Sequence, residues 1–287
     1  MKIKKSVLLT ILCAVFIICL FSGCSNSQKL AADITEDTML IAYTQENSPF
    51  LYKNENGEFE GFDAEIINEI FDSVKGEYKN YTFIQVPDDY KLNEDVCYTD
   101  ENGKEYKAKI MCGGTRKNTG TANQDVNWSV NILENNIVTV VSAGSTIINA
   151  DIPSDTTAGV TSAAAMEALN RNAAYKSNFE TIKEYASISD SLAALDNGEI
   201  DAVITETFDF CKTDGSEKYT VLPGVLDKIE YAYQFAKNDD LSWSFNEAIR
   251  EMQSADYGDG DTLTPLVEKH FGYKDACVFE YKTDGDK

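Results

Sequence analysis

Short apolar runs recur along the chain and are separated by polar turns, a pattern that predicts β-strands. The runs lie at residues 39–44, 81–86, 137–142, 157–161 and 200–205. The run at 137–142 is rich in β-branched residues, which is typical of a strand buried on both faces. We therefore expect short strands, several of them internal to a sheet.

Segments with helical spacing of apolar residues alternate with these runs. Residues 66–71 have this spacing, and Asp63 is the predicted N-cap of their helix. Ser162 is the predicted cap of a second helix, and Ser189 is the predicted cap of a short third helix that Gly198 closes.

Two more helices are predicted near the end of the chain, at residues 241–252 and 263–271, the second ending before Gly272. Strands that alternate with helices imply an α/β fold with mostly parallel sheets. In such sheets, ligands bind beyond the carboxyl ends of the strands.

A polar insertion at residues 87–106 interrupts the alternation. Within it, residues 100–103 (Asp-Glu-Asn-Gly) predict the tip of a hairpin that leads into a strand at 107–111. A similar turn is predicted at residues 54–57, between aromatic flanks. The sequence assigns the insertion no function.

The N-terminus has the three zones of a secretory signal. Three lysines precede an apolar run at residues 6–20, and two small residues then precede Cys24. This arrangement resembles the bacterial lipoprotein signal, which implies a signal peptide at 1–23, a lipid on Cys24 and a linker at 24–37. The expected location is the outer face of the cell membrane, held by the lipid. The alternative is an uncleaved signal anchor.

The chain is strongly acidic, with 48 acidic against 25 basic residues and a net charge of −23. Loss of residues 1–23 would remove three lysines and no acid, which takes the net charge to about −26. Such a surface repels nucleic acid and anionic lipid, so we expect neither as a partner. The remaining 264 of 287 residues favour two lobes over one core.

The cysteines and the single histidine supply little chemistry. Outside the signal and Cys24, the thiols are Cys97, Cys112, Cys211 and Cys277, which allow three pairings that the sequence leaves open. Their spacing matches no zinc site, and His270 is the one histidine. We expect no metal, no cofactor and no catalytic residue.

Three motifs follow one another in the chain. Pro49-Phe50 precedes Gly61-Phe62-Asp63 at a helix start, residues 192–203 read LAALDNGEIDAV, and residues 269–272 read KHFG. Together they resemble the extracellular solute-binding proteins of ABC importers, in particular family 3, which serves polar amino acids. The resemblance spans about residues 38–273.

The resemblance implies a type II periplasmic-binding-protein-like fold: two α/β lobes around a central cleft that closes about a hinge. It also implies a monomer with a small polar ligand, an amino acid by family default, and an ABC permease as partners. The implied boundaries are lobe 1 at 38–134 and 230–274, lobe 2 at 135–229, crossings near 131–136 and 226–231, and a tail at 275–287.

Charged groups for an amino acid are implied at two positions. Glu206 occupies the place of the family's acid, just after the Asp-Ala-Val strand, where it would meet an ammonium. The family's carboxylate-binding arginine position falls at Gly120, so the match fails there. Arg116 is the substitute candidate, with the Thr115 hydroxyl beside it. The competing interpretation of Glu206 and Arg116 is a surface charge.

Two further contacts follow from the resemblance. Thr161 and Ser162 stand where a helix start receives the ligand carboxylate, with an ordinary N-cap as the alternative. Phe50 matches an aromatic that lies against the ligand, and its alternative is a place in the core. The aromatic usually found before Pro49 is replaced here, and Tyr43 or Tyr52 could compensate.

The sequence thus predicts a binding lipoprotein without chemistry of its own. Two alternatives remain: a ligand-sensing lipoprotein without an importer, and a dehydratase-like enzyme on the same fold. His270 is the available acid or base for the latter, but it lies in the motif near the end of the chain, far from the expected cleft.

Overall fold

The computed structural model describes residues 33–272 except 93, 118–125, 148–151, 238 and 255–260. The predicted signal peptide, Cys24, Gly120, Cys277 and the tail at 275–287 lie outside the described residues.

Strands and helices alternate along most of the chain. The strands are β1 Thr38–Tyr43, β2 Tyr52–Lys53, β3 Phe59–Glu60, β4 Asn80–Gln85, β5 Tyr98–Thr99, β6 Glu105–Tyr106, β7 Ile110–Met111, β8 Val126–Trp128, β9 Leu133–Ser142, β10 Thr157–Val160, β11 Thr181–Glu184, β12 Ala202–Glu206, β13 Tyr219–Val221, β14 Asp227–Tyr231 and β15 Gln234–Ala236. The helices are α1 Phe62–Val74, α2 Ala163–Arg171, α3 Ala173–Lys176, α4 Ile188–Asp196, α5 Thr207–Cys211, α6 Leu241–Gln253 and α7 Leu263–Phe271.

Two separate sheets organise these elements. The first has the order β4-β1-β7-β15-β8, with β1, β4 and β7 parallel. The second has the order β11-β10-β12-β9-β13, with β14 also paired to β9 and with β10, β11 and β12 parallel. Antiparallel strands complete each sheet. The predicted α/β fold with parallel sheet centres is confirmed.

Strand β1 is buried on both faces. Met39, Ile41 and Tyr43 pack into the main core with helix α1, whereas Leu40 and Ala42 face a smaller cluster. Because side chains alternate along a strand, one apolar run supplies both faces.

The smaller cluster contains part of the polar insertion. Tyr90 and Leu92 are buried there against the back of β1, and the Tyr90 hydroxyl accepts a hydrogen bond from the Ala108 amide at 3.0 Å. The predicted hairpin tip is present between β5 and β6. The strand predicted at 107–111 is shorter, because regular pairing to β1 covers only β7.

A two-stranded ribbon joins the sheets. Strand β14 pairs antiparallel with the first half of β9, from Asp227 opposite Ile137 to Tyr231 opposite Leu133. The pairing continues toward the first sheet, where the Ser129 amide donates to the Tyr233 carbonyl at 2.9 Å.

Two predicted helix caps are wrong. The third helix begins after Ser187, whose hydroxyl accepts from the Asp190 amide at 3.1 Å, so Ser187 replaces Ser189 as the cap. Helix α1 begins at Phe62, after Gly61, and Asp63 does not cap it. The Phe50 carbonyl accepts from the Asp63 amide at 2.9 Å, so backbone carbonyls bind these first amides and the Asp63 side chain turns inward.

Other helix ends agree with the pattern. The Ser162 hydroxyl accepts from the Ala165 amide at 3.1 Å, which confirms the predicted cap of α2. Helices α6 and α7 are confirmed, and Gly272 follows α7 in a left-handed conformation.

Candidate functional site

Polar side chains meet at the carboxyl ends of β10 and β12, which are neighbours in the second sheet. Val160 pairs with Ile204, so the residues that follow them, Thr161 and Thr205, lie side by side. The Thr161 hydroxyl donates to the Thr205 hydroxyl at 2.8 Å. This edge therefore brings together Thr161, Ser162 and Glu206, which the sequence had placed in one site.

Glu206 is held by an asparagine on the joining ribbon. The Asn135 side-chain amide donates to a Glu206 carboxylate oxygen at 2.8 Å, and its oxygen accepts from the Phe208 amide at 3.2 Å. Asn135 is buried, whereas Glu206 remains half-buried. Since the Asn135 amide is neutral, this hydrogen bond orients the carboxylate without cancelling its charge.

Tyr231 connects the acidic and the basic candidates. Burial raises the pKa of its phenol; the Arg116 guanidinium, which hydrogen-bonds the phenol, opposes this rise, and the Glu206 carboxylate adds to it. Both charged side chains therefore act on one hydroxyl at the end of β14. Glu206 and Arg116 thus each lie near Tyr231, at the joint of the sheets.

The segment carrying Arg116 runs along the ribbon. Arg116 forms a backbone bridge with Tyr231, the Ala232 amide donates to the Thr115 carbonyl at 3.1 Å, and the Lys117 amide donates to the Glu230 carbonyl at 2.7 Å. The Thr115 hydroxyl donates to the Cys112 carbonyl at 3.1 Å. Arg116 itself is exposed.

A cavity of about 390 Å³ lies against the start of helix α2. Thr161 and Ser162 line one side, and Glu184 and Tyr185 at the end of β11 line another. The Ser162 oxygen accepts the cap bond, so its O–H can still donate to a ligand carboxylate, together with nearby backbone N–H groups.

Phe50 lies in the core of the first sheet. It is 6% exposed, and its ring centroid lies 4.7 Å from that of Tyr231 and 5.1 Å from that of Phe271. The Phe50 ring therefore packs against the ring of Tyr231. Of the compensating tyrosines, Tyr43 is buried and Tyr52 is half-buried.

An aromatic contact joins the two halves of the molecule beside this site. Phe208, on α5 of the second-sheet half, stacks on Phe271 of α7 with centroids 4.6 Å apart and planes 29° apart. Phe208 is 5% exposed and belongs to the core cluster of the first sheet.

The acid or base that the sequence offers for an enzyme is engaged in a different contact. His270 packs beside α1, with a ring nitrogen 3.1 Å from a Glu65 oxygen, and burial is the main cause of its lowered pKa. Burial raises the pKa of the Cys112 thiol. Across the ranges the structure describes, no group of three or more His, Cys, Asp or Glu residues is placed to hold a metal.

Sequence reasoning did not assign Asn135 and Tyr231 to the site, although the crossings implied near 131–136 and 226–231 contain both. Their contacts with Glu206 and Arg116 depend on the pairing of β9 with β14, which local sequence patterns do not predict. It also predicted Asp63 as a helix cap, although Asp63 belongs to the Gly-Phe-Asp motif and its side chain binds two backbone amides instead. The Asp63 carboxylate accepts from the Gly113 amide at 2.7 Å and from the Gly114 amide at 3.0 Å.

No protein-family model matches the chain, and no curated protein matches it. Many solved structures resemble its fold. A polar amino acid ABC uptake transporter substrate-binding protein from Streptococcus thermophilus has a TM-score of 0.62 at 19% identity, over 84% of this chain and 88% of its own. The L-cystine solute receptor of Neisseria gonorrhoeae, unliganded and open, has a TM-score of 0.61 at 19% identity, over 83% and 94%.

A third similar structure is the second substrate binding domain of a putative amino acid ABC transporter from Streptococcus pneumoniae. Its TM-score is 0.58 at 18% identity, over 81% of this chain and 99% of its own. These likenesses show that the fold is of the type II periplasmic-binding-protein-like kind. Among the helices of the described part, none is long and apolar enough to cross a membrane.

Proposed function

We propose that this chain is the extracytoplasmic substrate-binding protein of an ABC importer, and that it captures a small polar solute, an amino acid, by hinge closure of two lobes. The observation that carries the proposal is the position of Glu206. Its carboxylate stands at a parallel strand end, is oriented by Asn135 from the joining ribbon, and lies near Tyr231, on which the Arg116 charge also acts.

A carboxylate and a guanidinium at one joint suit a zwitterion. Glu206 binds the ammonium group, and Arg116 binds the carboxylate group with help from the Ser162 hydroxyl at the helix start. The Thr115 and Thr161 hydroxyls, which donate to the Cys112 carbonyl and the Thr205 hydroxyl without a ligand, turn to the ligand on binding. The cation half is better supported, because a cleft in a chain of net charge −23 repels an unaccompanied anion.

The structural neighbours support the ligand class. One is named for polar amino acid uptake and another for L-cystine. All three similar structures are substrate-binding proteins, domains or receptors, which favours capture without chemistry. Phe50 belongs to the site indirectly, as the support of Tyr231.

We further propose that Cys24 carries the lipid that holds the protein at the membrane. Cys24→Ala tests this: the variant should remain uncleaved or be released, and wild type should fractionate with membranes. Membrane retention of the variant at wild-type size would favour an uncleaved anchor instead.

Calorimetric titration of the purified mature protein with the twenty amino acids, polyamines and short peptides tests the function. We expect one amino acid, or a small set, to bind and to reduce the radius of gyration in X-ray scattering. Failure of every compound to bind, or binding without compaction at saturation, would contradict capture by hinge closure.

A further inference from the structure

Asp63 is a fully buried carboxylate that none of the proposed ligand contacts uses. It lies in the first turn of α1 and is 0% exposed. One of its oxygens accepts from the amides of Gly113 and Gly114, and the other lies 3.3 Å from the Tyr233 hydroxyl. These partners are all neutral, and no described residue places a cation against the carboxylate.

Ionisation of a carboxyl group in this buried position costs free energy of desolvation. Burial raises the pKa of Asp63 to about 6, even though the bonds from Gly114, Gly113 and Tyr233 each lower it. A neutral residue would avoid this cost. A carboxylate in its place has one clear advantage: its oxygen accepts two adjacent backbone amides through charge-assisted bonds.

Those two amides belong to the segment that carries Arg116. Gly113 and Gly114 both have positive φ, and a Cβ atom on Gly114 would lie 2.7 Å from the Asn47 side-chain nitrogen and from the Phe50 ring. Asn47 also donates to the Gly113 carbonyl at 3.1 Å. The turn is therefore fixed by long-range contacts to Asp63, Asn47 and Phe50, and it directs the chain into the ribbon pairing at Thr115.

We propose that Asp63 is a positioning residue: its carboxylate sets the conformation of residues 113–117, and hence the place of Arg116, and protonation of the carboxylate loosens this hold. Capture of a solute with a carboxylate group then weakens at mildly acidic pH. The predicted loss of affinity rests on the proposed function, whereas the contact of Asp63 with the Gly113 and Gly114 amides does not.

Among the described residues, few titratable groups lie near Asp63. Tyr233 and Cys112 face it, and the pKa of each is raised well above its ordinary value, chiefly by burial, so both stay neutral at mildly acidic pH. Tyr43 packs on Gly113, and burial raises its pKa too. His270 contacts Glu65 on the same helix as Asp63 and titrates in the acidic range, so it needs a control.

The first experiment needs no ligand. Amide exchange and ¹⁵N chemical shifts of Gly113 and Gly114 are followed from pH 5 to 8 in wild type, Asp63→Asn, Tyr233→Phe and the control His270→Gln. We expect the shifts of both amides to titrate together in wild type and His270→Gln, and their protection factors, taken relative to the intrinsic exchange rate at each pH, to fall at least ~10-fold at low pH. Asp63→Asn should lose this titration. Tyr233→Phe keeps the carboxylate and should keep the titration. Equal protection factors and shifts that do not change with pH, in wild type and Asp63→Asn alike, would overturn the proposal.

The second experiment measures how protonation of Asp63 changes the affinity for a ligand. Each of the twenty amino acids is titrated beside its decarboxylated amine, including L-arginine beside agmatine and L-lysine beside cadaverine. For a bound amino acid we expect an affinity loss of about tenfold from pH 7.5 to 5 in wild type that is absent in Asp63→Asn, and no matching loss for the amine.

The outcomes separate the two proposals. If no compound binds, the proposed function fails while the amide titration still decides the role of Asp63. If amino acid and amine lose affinity equally, Asp63 acts on the fold as a whole, and its role as a positioning residue for Arg116 is wrong.

Discussion

The acidic and basic sides of the candidate site are built in different ways. Glu206 is the last residue of a buried strand, and its carboxylate is oriented by Asn135 from the neighbouring strand β9. Arg116 lies on an irregular segment whose course depends on the Asp63 carboxylate and on backbone bonds to the ribbon. A regular strand therefore fixes the position of Glu206, whereas contacts with residues distant in sequence fix the position of Arg116.

This difference teaches which half of the site tolerates change. A carboxylate at a strand end keeps its place as long as the sheet folds. An exposed guanidinium on a glycine-containing segment keeps its place only while several long-range bonds persist. We therefore expect cation binding to be robust and carboxylate binding to be sensitive to distant substitutions and to pH.

The largest effect is expected at the contact that joins the two halves. Phe208→Ala removes a buried ring that stacks on Phe271 across the halves. The free energy of unfolding should fall by about 3–5 kcal/mol, the usual cost of truncating a buried Phe. The unliganded protein should also become more extended in X-ray scattering, because the halves lose their shared ring.

Phe210→Ala is the matched control for that variant. Phe210 lies on the same short helix, but its ring packs within the second-sheet half, near Tyr219. Its truncation should lower stability without changing the radius of gyration. An unchanged radius in both variants would show that the stack does not hold the halves together.

The next effect is a pH dependence from Asp63. Its pKa is about 6 when folded and 3.8 as the ordinary value, so the stability it contributes is fully present below pH 3.8 and is lost as pH rises through 6. Relative to Asp63→Asn, wild type should lose roughly 3 kcal/mol over this window. Urea unfolding of both proteins between pH 3.5 and 7 measures it, and a pH-independent difference would contradict the assignment.

A smaller effect is expected at the asparagine that orients Glu206. Asn135→Ala leaves the Phe208 amide and the Glu206 carboxylate without their partner, which should cost about 1–3 kcal/mol in unfolding free energy. Asn136→Ala, one residue along β9, is the control, because the Asn136 side-chain oxygen has no hydrogen-bond partner among the described residues. Equal losses in both variants would remove Asn135 from the site.

The smallest effect is expected on the basic side. Arg116→Ala should lower the affinity for a bound amino acid by about tenfold and leave its decarboxylated amine unaffected, since an exposed charge contributes little. Lys117→Ala, whose ammonium donates to Asn131 at 3.0 Å, is the neighbouring control. A loss for the amine as well would mean that Arg116 supports the segment rather than the ligand.

Local sequence signals predicted most of the fold. Helices α6 and α7 were found within about a residue because apolar spacing and Gly272 are local features. The cap of α4 was misplaced by two residues, since Ser187 and Ser189 offer the same hydroxyl and only the chain geometry selects one.

The site was predictable to the extent that it follows strand ends. Glu206, Thr161 and Ser162 could be grouped because parallel strands end at a common edge. Asn135 and Tyr231 could not, because their roles arise from pairing between segments far apart in sequence. Asp63 was misread as a cap for the same reason: its partners, Gly113 and Gly114, lie beyond the reach of local patterns.

One measurement tests the central claim, that the Glu206 carboxylate captures the cationic group of the solute. Calorimetric titration compares wild type, Glu206→Gln and the control Glu199→Ala, an exposed acid near the opposite end of β12, against the best-bound amino acid of the panel. Removing one partner of a charge pair that is buried in a complex typically costs about 2–5 kcal/mol. Because the bound ligand would cover Glu206 and pair with it, Glu206→Gln should bind tens- to thousands-fold more weakly, with Glu199→Ala unchanged. Binding by Glu206→Gln as tight as by wild type would contradict the account and place the site elsewhere.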